Sequence, residues 1–182
     1  MIQLSKITEK EGSALAEWLS SGTWPFFTHA TTTREQVMDR IKCGEMFNDS
    51  RENFWIDLEA TPRVGLLEIT DLDSHAPMFS LRFKTQYRRK GIGKKVVPML
   101  VDYVFKTYSD KNRIEAQTRE DNVAMRKVFG ASLFVKEAYY REAYPVPDSS
   151  PVASIAYGIL RKDWETGITT PVRWKGDGFV DD

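Results

Sequence analysis

The segment that most constrains the fold is 81–93, in which an apolar run leads through a basic turn into a long amphipathic stretch. Gly91 and Gly93, on either side of Ile92, lack Cβ atoms, so backbone N–H groups of the turn can converge on one ligand. Basic side chains surround the turn: Arg88, Arg89, Lys90, Lys94 and Lys95. A strand, a basic glycine turn and a helix N-terminus in this order predict a binding site for a pyrophosphate group.

The residues on both sides of this turn support the prediction. Segment 77–83 has the character of a strand, and apolar residues recur at helical spacing from Val96 to Tyr108. Pro98 lies inside the predicted helix, which predicts either a kink or a late start. A P-loop is disfavoured because no Lys-Ser or Lys-Thr follows the second glycine, and the dinucleotide fingerprint lacks its third glycine.

The spacing of Arg88, Gly91 and Gly93 resembles the motif Gln/Arg-x-x-Gly-x-Gly/Ala of the GNAT acyltransferase superfamily. Asn122 opens a segment similar to the next helix of that family, and Phe134 stands where the family has Gly-Phe. Segment 154–164 is similar to the closing strand of the branch that contains ribosomal-protein N-terminal and spermidine acetyltransferases. The resemblance implies an α+β fold, with a mostly antiparallel central sheet and flanking helices, and acetyl-CoA as acetyl donor.

The resemblance also implies which residues bind the cofactor. The loop residues are Arg88, Arg89, Lys90, Gly91, Ile92, Gly93 and Lys94, and Asn122 joins them from the following helix. The family places backbone N–H donors for the oxyanion where the strand carrying Leu81 and Phe83 splays from its neighbour. No metal is required by this chemistry, and His29 has no Cys or His partner at zinc-ligand spacing.

An acetyl transfer to an amine also needs a group that accepts the amine proton. Many relatives carry an acid on the strand before the loop, but segment 78–83 contains none. Glu68 is the first candidate for the catalytic base, because a carboxylate in the apolar run 64–70 is expected to have a raised pKa. Glu115 and Glu142 are alternatives, and so is a solvated, non-catalytic Glu68.

The acid that protonates the leaving thiolate is less clear from the sequence. Phe129 stands where relatives have a tyrosine, so the alternatives are Ser132, Tyr139, Tyr140, water or the proton released by the substrate. Leu133 replaces the glycine that precedes Phe134 in the family, which leaves the turn at this point open.

Apolar periodicity predicts a helix over 9–20, a second helix that begins after Thr33 and ends before Gly44, and strands over 113–119, 135–144 and 152–160. The acceptor site is expected near segment 23–29, which lies between these two helices. Trp24 and His29 are the candidates for acceptor contact there, together with Tyr140 from a later strand. For Phe26 and Phe27 a core position is favoured over contact with the acceptor.

Length and composition agree with the single enzyme domain that the resemblance implies, residues 1–164, followed by a polar tail, residues 165–182, in which Trp174 is available for docking. The 26 basic and 26 acidic residues give a formal net charge of zero, which disfavours a nucleic-acid or membrane binder. The single cysteine, Cys43, excludes an internal disulfide, and no targeting segment is evident, so a cytoplasmic protein is expected.

The sequence therefore predicts an N-acetyltransferase that acts directly on a primary amine, either a small molecule or a peptide N-terminus. The alternative is a catalytically inactive CoA-binding regulatory or interaction module, suggested by Phe129 and by the missing acid near Met78. Nucleic acid is not an expected partner, and a homodimer is left open.

Overall fold

The computed structural model describes residues 1–147 and 149–173 and contains a seven-stranded sheet with helices on both faces. The strands are β1 Ile2–Lys6, β2 Glu52–Leu58, β3 Thr61–Thr70, β4 Met78–Phe83, β5 Arg113–Arg119, β6 Val135–Tyr144 and β7 Val152–Leu160. The α-helices are α1 Gly12–Ser20, α2 Arg34–Lys42, α3 Ile92–Thr107, α4 Val123–Gly130 and α5 Arg161–Thr166. The strand order is β1-β2-β3-β4-β5-β7-β6. Every neighbouring pair is antiparallel except β4 and β5, so the predicted α+β fold is confirmed.

Different helices pack on the two faces of the sheet. On β3, Leu67 and Ile69 pack in the cluster that contains Val96, Leu100 and the rest of the buried side of α3. Leu66, which points to the opposite face, packs with residues of α1 and α2. Glu68 alternates with Leu67 and Ile69, so it lies on the α1/α2 face.

The sheet opens between β4 and β5, its one parallel pair. These strands share a single residue pair in register, Met78 with Glu115, beside a bond from the Glu115 N–H to the Pro77 carbonyl at 2.9 Å. Beyond Met78 the strands pair no further in the described part of the chain, and β4 leads into the basic turn. The splay that the resemblance implied at Leu81 and Phe83 is therefore present.

Several details differ from the sequence-based predictions. The first predicted helix begins with a short 3-10 turn, Glu9–Glu11, and becomes α-helical only at Gly12. Helix α3 begins at Ile92 and continues past Pro98, so a late start is wrong; Pro98 is exposed, where its missing donor costs least.

The last helix in the described part of the chain, α5, was not predicted from the sequence. The Arg161 guanidinium at the start of α5 donates to the carbonyls of Phe105, Tyr108 and Lys111, at 2.7–2.9 Å, and so satisfies the C-terminal end of α3. Helix α5 continues to Thr166, two residues past the predicted domain end at 164. Trp174 lies outside the described residues.

Two strand glycines should respond differently to substitution by alanine. A Cβ at Gly65 would lie 2.7 Å from the Arg82 carbonyl oxygen, whereas the three atoms nearest to a Cβ at Gly158 all belong to the Arg113 guanidinium, the first at 2.6 Å. The Arg82 carbonyl belongs to the backbone of β4 and cannot move aside, whereas the flexible Arg113 side chain can. We expect Gly65→Ala to lower the free energy of unfolding by about 1–3 kcal/mol and Gly158→Ala by less than about 1 kcal/mol, measured by urea unfolding. Equal losses would contradict this account of the packing between β3 and β4.

Candidate active site

The N-terminus of α3 has the properties of an anion site. Gly91 precedes the helix with φ of 75°, and no side chain caps the helix. The first turn of α3 contains no acidic residue. The uncapped N–H groups and the positive end of the helix dipole therefore fit a pyrophosphate, as the sequence predicted.

The basic side chains of the loop divide into two groups. Arg88 does not point toward the helix N-terminus: its Nε donates to the Phe83 carbonyl at 2.9 Å, and its Nη2 donates to the Thr23 carbonyl. Arg88 therefore joins the end of β4 to the segment after α1. Arg89, Lys90 and Lys94 are exposed around the turn, where their charge attracts an anion.

The other predicted cofactor residues have structural contacts of their own. The Ile92 side chain is buried in the core, which leaves only its backbone N–H for a ligand. A Cβ at Gly93 would lie 3.3 Å from Val128, so this glycine also allows α3 and α4 to approach. Asn122 caps α4, accepting from the Met125 N–H at 3.2 Å, and donates to Thr118 at 3.0 Å. Its side-chain bonds thus fix the start of α4.

A buried ionic cluster lies on the α1/α2 face, one strand away from the splay. Glu68 is 4% exposed and forms ion pairs with Arg82 of β4 and with Arg51, the latter at 3.2 Å. The Ser80 hydroxyl donates to Glu68 at 2.8 Å. Because Ser80 pairs with Glu68 across the two strands, the cluster follows directly from the register.

The cluster overturns the reason for choosing Glu68 as the base. Burial alone would raise the pKa of Glu68, but the charge of Arg82, the Ser80 hydrogen bond and the charge of Arg51 outweigh it and hold that pKa below its usual range. The expectation of a raised pKa is wrong. Glu68 is ionised at neutral pH, and both of its oxygens are engaged.

The aromatic segment 23–29 covers this face, but with different residues from those predicted. Trp24 is only 3% exposed and stacks on Trp18 with ring centroids 4.9 Å apart, so it is a core residue. Phe26 is 38% exposed, and the Arg82 guanidinium carbon lies 3.7 Å from the centre of the half-buried Phe27 ring. The expected order is reversed, since the phenylalanines are more accessible than Trp24. His29 is exposed.

Arg119 and Tyr144 fix the same segment from the other side of the splay. The Arg119 guanidinium pairs with Asp121 at 2.6 Å, donates to the Pro25 carbonyl at 3.1 Å and lies 5.5 Å from the Phe26 ring centre. The Tyr144 hydroxyl donates to the Phe26 carbonyl at 3.2 Å. The aromatic segment is therefore held to both β4 and β5.

The strand register also places Tyr140 and the alternative bases. Arg119 pairs with Ser154, which pairs with Tyr140, so the exposed Tyr140 lies in the same row as Arg119. Glu115 pairs with Arg113 at 2.7 Å. Glu142 is exposed with φ of 53° in the irregular part of β6.

The candidates for the thiolate acid are also separated by the structure. Phe129 is 1% exposed and packs against Tyr157 with ring centroids 4.6 Å apart. The Tyr139 hydroxyl donates to Glu120 at 2.6 Å, and this bond raises the pKa of Tyr139. The Ser132 hydroxyl is buried, and no residue in the described part of the chain forms a hydrogen bond with it.

The sequence analysis missed Arg82, although a signal was available. Alternation along β4 puts Arg82 on the same face as Ser80, opposite the apolar side chains of Phe79 and Leu81. A charged residue in such a strand, next to a neighbouring strand that carries Glu68, indicates a buried ion pair. Only the pairing register, which the sequence does not reveal, brings the two together.

Within residues 1–147 and 149–173, the structure contains neither a membrane-spanning helix nor a metal-ligating cluster. No helix there is long and apolar enough to cross a membrane. No group of three metal-ligating side chains occurs in the same part of the chain.

Comparison with known proteins gives a family and a fold. Residues 2–134 match the model of the acetyltransferase (GNAT) domain. No curated protein matches the sequence. The solved structures similar to this chain include spermidine N-acetyltransferase from Vibrio cholerae in complex with CoA and spermine, which is 12% identical, with a TM-score of 0.78 over 90% of this chain and 98% of that one.

Two further structures from Vibrio cholerae agree with this result. Mutant forms of the spermidine/spermine N-acetyltransferase are 14% identical, with a TM-score of 0.73 over 92% of this chain and 99% of theirs. A dodecameric spermidine N-acetyltransferase is 12% identical, with a TM-score of 0.72 over 90% and 95% of the two chains. At these identities the likeness establishes the shared fold.

Proposed function

Because the chain belongs to the acetyltransferase (GNAT) domain family, we propose that it transfers an acetyl group from acetyl-CoA to a primary amine held between β4 and β5. The observation that carries the proposal is the splay of β4 from β5 directly before the uncapped N-terminus of α3. This arrangement joins an anion site to an opening in the sheet. Direct attack by the amine requires no covalent enzyme intermediate.

In this proposal the start of α3, strand β4 and segment 23–29 have separate roles. The N–H groups at the start of α3, with Arg89, Lys90 and Lys94 around them, would hold the pyrophosphate of acetyl-CoA. The cofactor supplies an activated acetyl thioester. Backbone N–H groups of β4 that face the splay can donate to an oxyanion, a task for which no side chain is needed. Segment 23–29 covers the acceptor side and excludes water.

The role of Glu68 follows from its ion pairs. Its carboxylate is ionised and engaged by Arg82, Arg51 and Ser80, so it is poorly suited to take up a proton near neutral pH. We therefore assign Glu68 as a positioning residue that fixes Arg82 under Phe27. In this proposal the acceptor amine loses its proton to solvent before it reacts.

This assignment predicts how the rate depends on pH. Without an enzymatic base, kcat/KM should rise tenfold per pH unit until the pKa of the acceptor amine itself. Two acceptors whose amine pKa values differ should then give profiles that level off at different pH values. Initial rates measured from pH 6 to 10 check this. A common break near pH 6–7 for both acceptors would identify a titrating base on the enzyme.

The proposal as a whole is tested by CoA thiol release. Purified full-length chain is incubated with acetyl-CoA and a panel of amines that includes spermidine, amino acids, amino acid amides and short peptides. Amine-dependent thiol release together with an acetylated amine supports the transferase. Binding of acetyl-CoA with no turnover of any amine would favour the inactive CoA-binding module instead.

The names of the solved relatives suggest two further properties. They support a small-molecule amine as acceptor, and the panel tests peptide N-termini beside it. The dodecameric relative supports self-association of this chain as well, which the molar mass from light scattering would reveal.

A further inference from the structure

The acceptor side of the splay carries an arginine whose hydrogen-bonding capacity is only partly used. Nη1 of Arg82 donates to Glu68, and to the Ser80 hydroxyl at 3.1 Å. Neither the buried Nε of Arg82 nor its Nη2 donates to any residue that the structure describes. Nε and Nη2 together form an edge of the guanidinium that matches a carboxylate in two parallel hydrogen bonds.

The position of Arg82 relates this free edge to the acceptor. Arg82 lies four residues past Met78 on β4, and Arg119 lies four residues past Glu115 on β5, so the two arginines lie on the two strands that border the splay. Phe27 covers the flat face of the Arg82 guanidinium, so a partner for the buried Nε and for Nη2 has to approach in the plane of the guanidinium. The ion pair with Glu68 holds the side chain in this position.

The local charge also favours an anion. Arg82 and Arg51 share the single carboxylate of Glu68, which leaves one positive charge in excess. Across the splay, Asp121 is neutralised by Arg119. Glu142 is an exposed carboxylate on β6, where solvent screens its charge. A polyamine would meet an uncompensated arginine here, and a like charge disfavours its binding.

We propose that Arg82 binds a carboxylate of the acceptor through its Nε and Nη2 edge, so that the substrate class is an amine that also carries a carboxylate, such as an amino acid or a short peptide. This inference rests on the proposed function and specifies its acceptor. It makes Arg82 a specificity-determining residue and distinguishes this chain from the polyamine acetyltransferases that share its fold.

The experiment uses acceptor pairs that differ only in the carboxylate. Glycine is compared with glycinamide, L-serine with L-serinamide, and glycylglycine with glycylglycinamide, with spermidine as the polycation. The amide of each pair has a more acidic amine, so kcat/KM is calculated per concentration of unprotonated amine. We expect the better carboxylate substrate to exceed its amide by at least about tenfold, mainly through a lower KM, because a charge-assisted bidentate contact is lost in the amide.

Two variants distinguish the bidentate hydrogen-bonding edge of Arg82 from its positive charge. Arg82→Lys keeps a cation beside Glu68, so the buried carboxylate stays paired, but it removes the bidentate edge. We expect this variant to reduce the acid-to-amide ratio to within about threefold of unity, while its melting temperature confirms folding. Arg51→Gln is the matched control, since it removes the other cation of the cluster and should retain the ratio.

Three results would overturn the inference: a ratio near unity in the wild type, an unchanged ratio in Arg82→Lys, or a higher kcat/KM for spermidine than for every carboxylate-bearing amine. Absence of turnover with all carboxylate-bearing amines would overturn it as well. Preference for spermidine would leave the acetyltransferase proposal intact, whereas that proposal fails if acetyl-CoA does not bind. The two failures are therefore distinguishable.

Discussion

Replacing Glu68 with glutamine is expected to lower the free energy of unfolding by about 3–5 kcal/mol, because it leaves Arg82 and Arg51 without the carboxylate that compensates them. Removing one partner of a buried ion pair costs more than the pair itself contributes, since the remaining charge stays desolvated. Urea unfolding at pH 7 measures the change. The control is Glu115→Gln, whose partly exposed pair with Arg113 should account for less than about 1 kcal/mol.

The stability lost in Glu68→Gln should also depend on pH. The pKa of Glu68 in the folded state is below its ordinary value of 4.5, so its ion pairs contribute fully above about pH 5 and lose their contribution as the pH falls through the folded-state pKa. The difference between wild type and Glu68→Gln should therefore be constant from about pH 6 to 8 and shrink in acid. A difference that grows below pH 5, or a loss under about 1 kcal/mol at pH 7, would show that the cluster is not a buried ion pair.

Replacing Gly91 with alanine should weaken acetyl-CoA binding by at least about tenfold. Gly91 has φ of 75° at the N-terminus of α3, and a Cβ in this left-handed region costs about 1–2 kcal/mol. Apart from its chain neighbours, no described residue has an atom within 4 Å of the added Cβ, so the cost arises from the backbone conformation and not from crowding. Relief of that strain would turn the first N–H groups of α3 away from the phosphates. Calorimetric titration with acetyl-CoA gives the dissociation constant directly.

Gly130 provides a matched control for this loop. A Cβ at Gly130 would also meet nothing within 4 Å, but this residue ends α4 with φ outside the left-handed region. Gly130→Ala should therefore leave the affinity for acetyl-CoA unchanged. If Gly91→Ala binds acetyl-CoA as tightly as Gly130→Ala does, the phosphates are held elsewhere.

The pattern of the chain predicted the fold well because its strands and helices follow local rules. Strands β5, β6 and β7 have the predicted bounds, since alternating apolar residues and flanking turns specify them. The basic glycine turn was correctly placed before α3, because positive φ and an uncapped helix start leave a clear trace in Gly91 and Gly93. At Leu133 the sequence left the turn open, and the structure retains a left-handed residue, with φ of 62°, where the family has glycine.

The acceptor side was predicted less well because it depends on contacts between distant segments. Trp24 and Phe27 are three residues apart in an aromatic segment, and nothing local distinguishes the ring that stacks in the core from the one that lies over Arg82. Similarly, the pKa of Glu68 is set by Arg82 and Arg51, which reach it only through the pairing of β3 with its neighbours. A raised pKa was the reasonable expectation for a lone carboxylate in an apolar strand, and the arginines reverse it.

The most direct test of the central claim is a titration of the full-length chain with acetyl-CoA, followed by mass spectrometry of the amine panel incubated with the same sample. The account predicts saturable binding that Gly91→Ala weakens, and an acetyl group added to at least one amine only when both protein and acetyl-CoA are present. Failure of acetyl-CoA to bind would contradict the account.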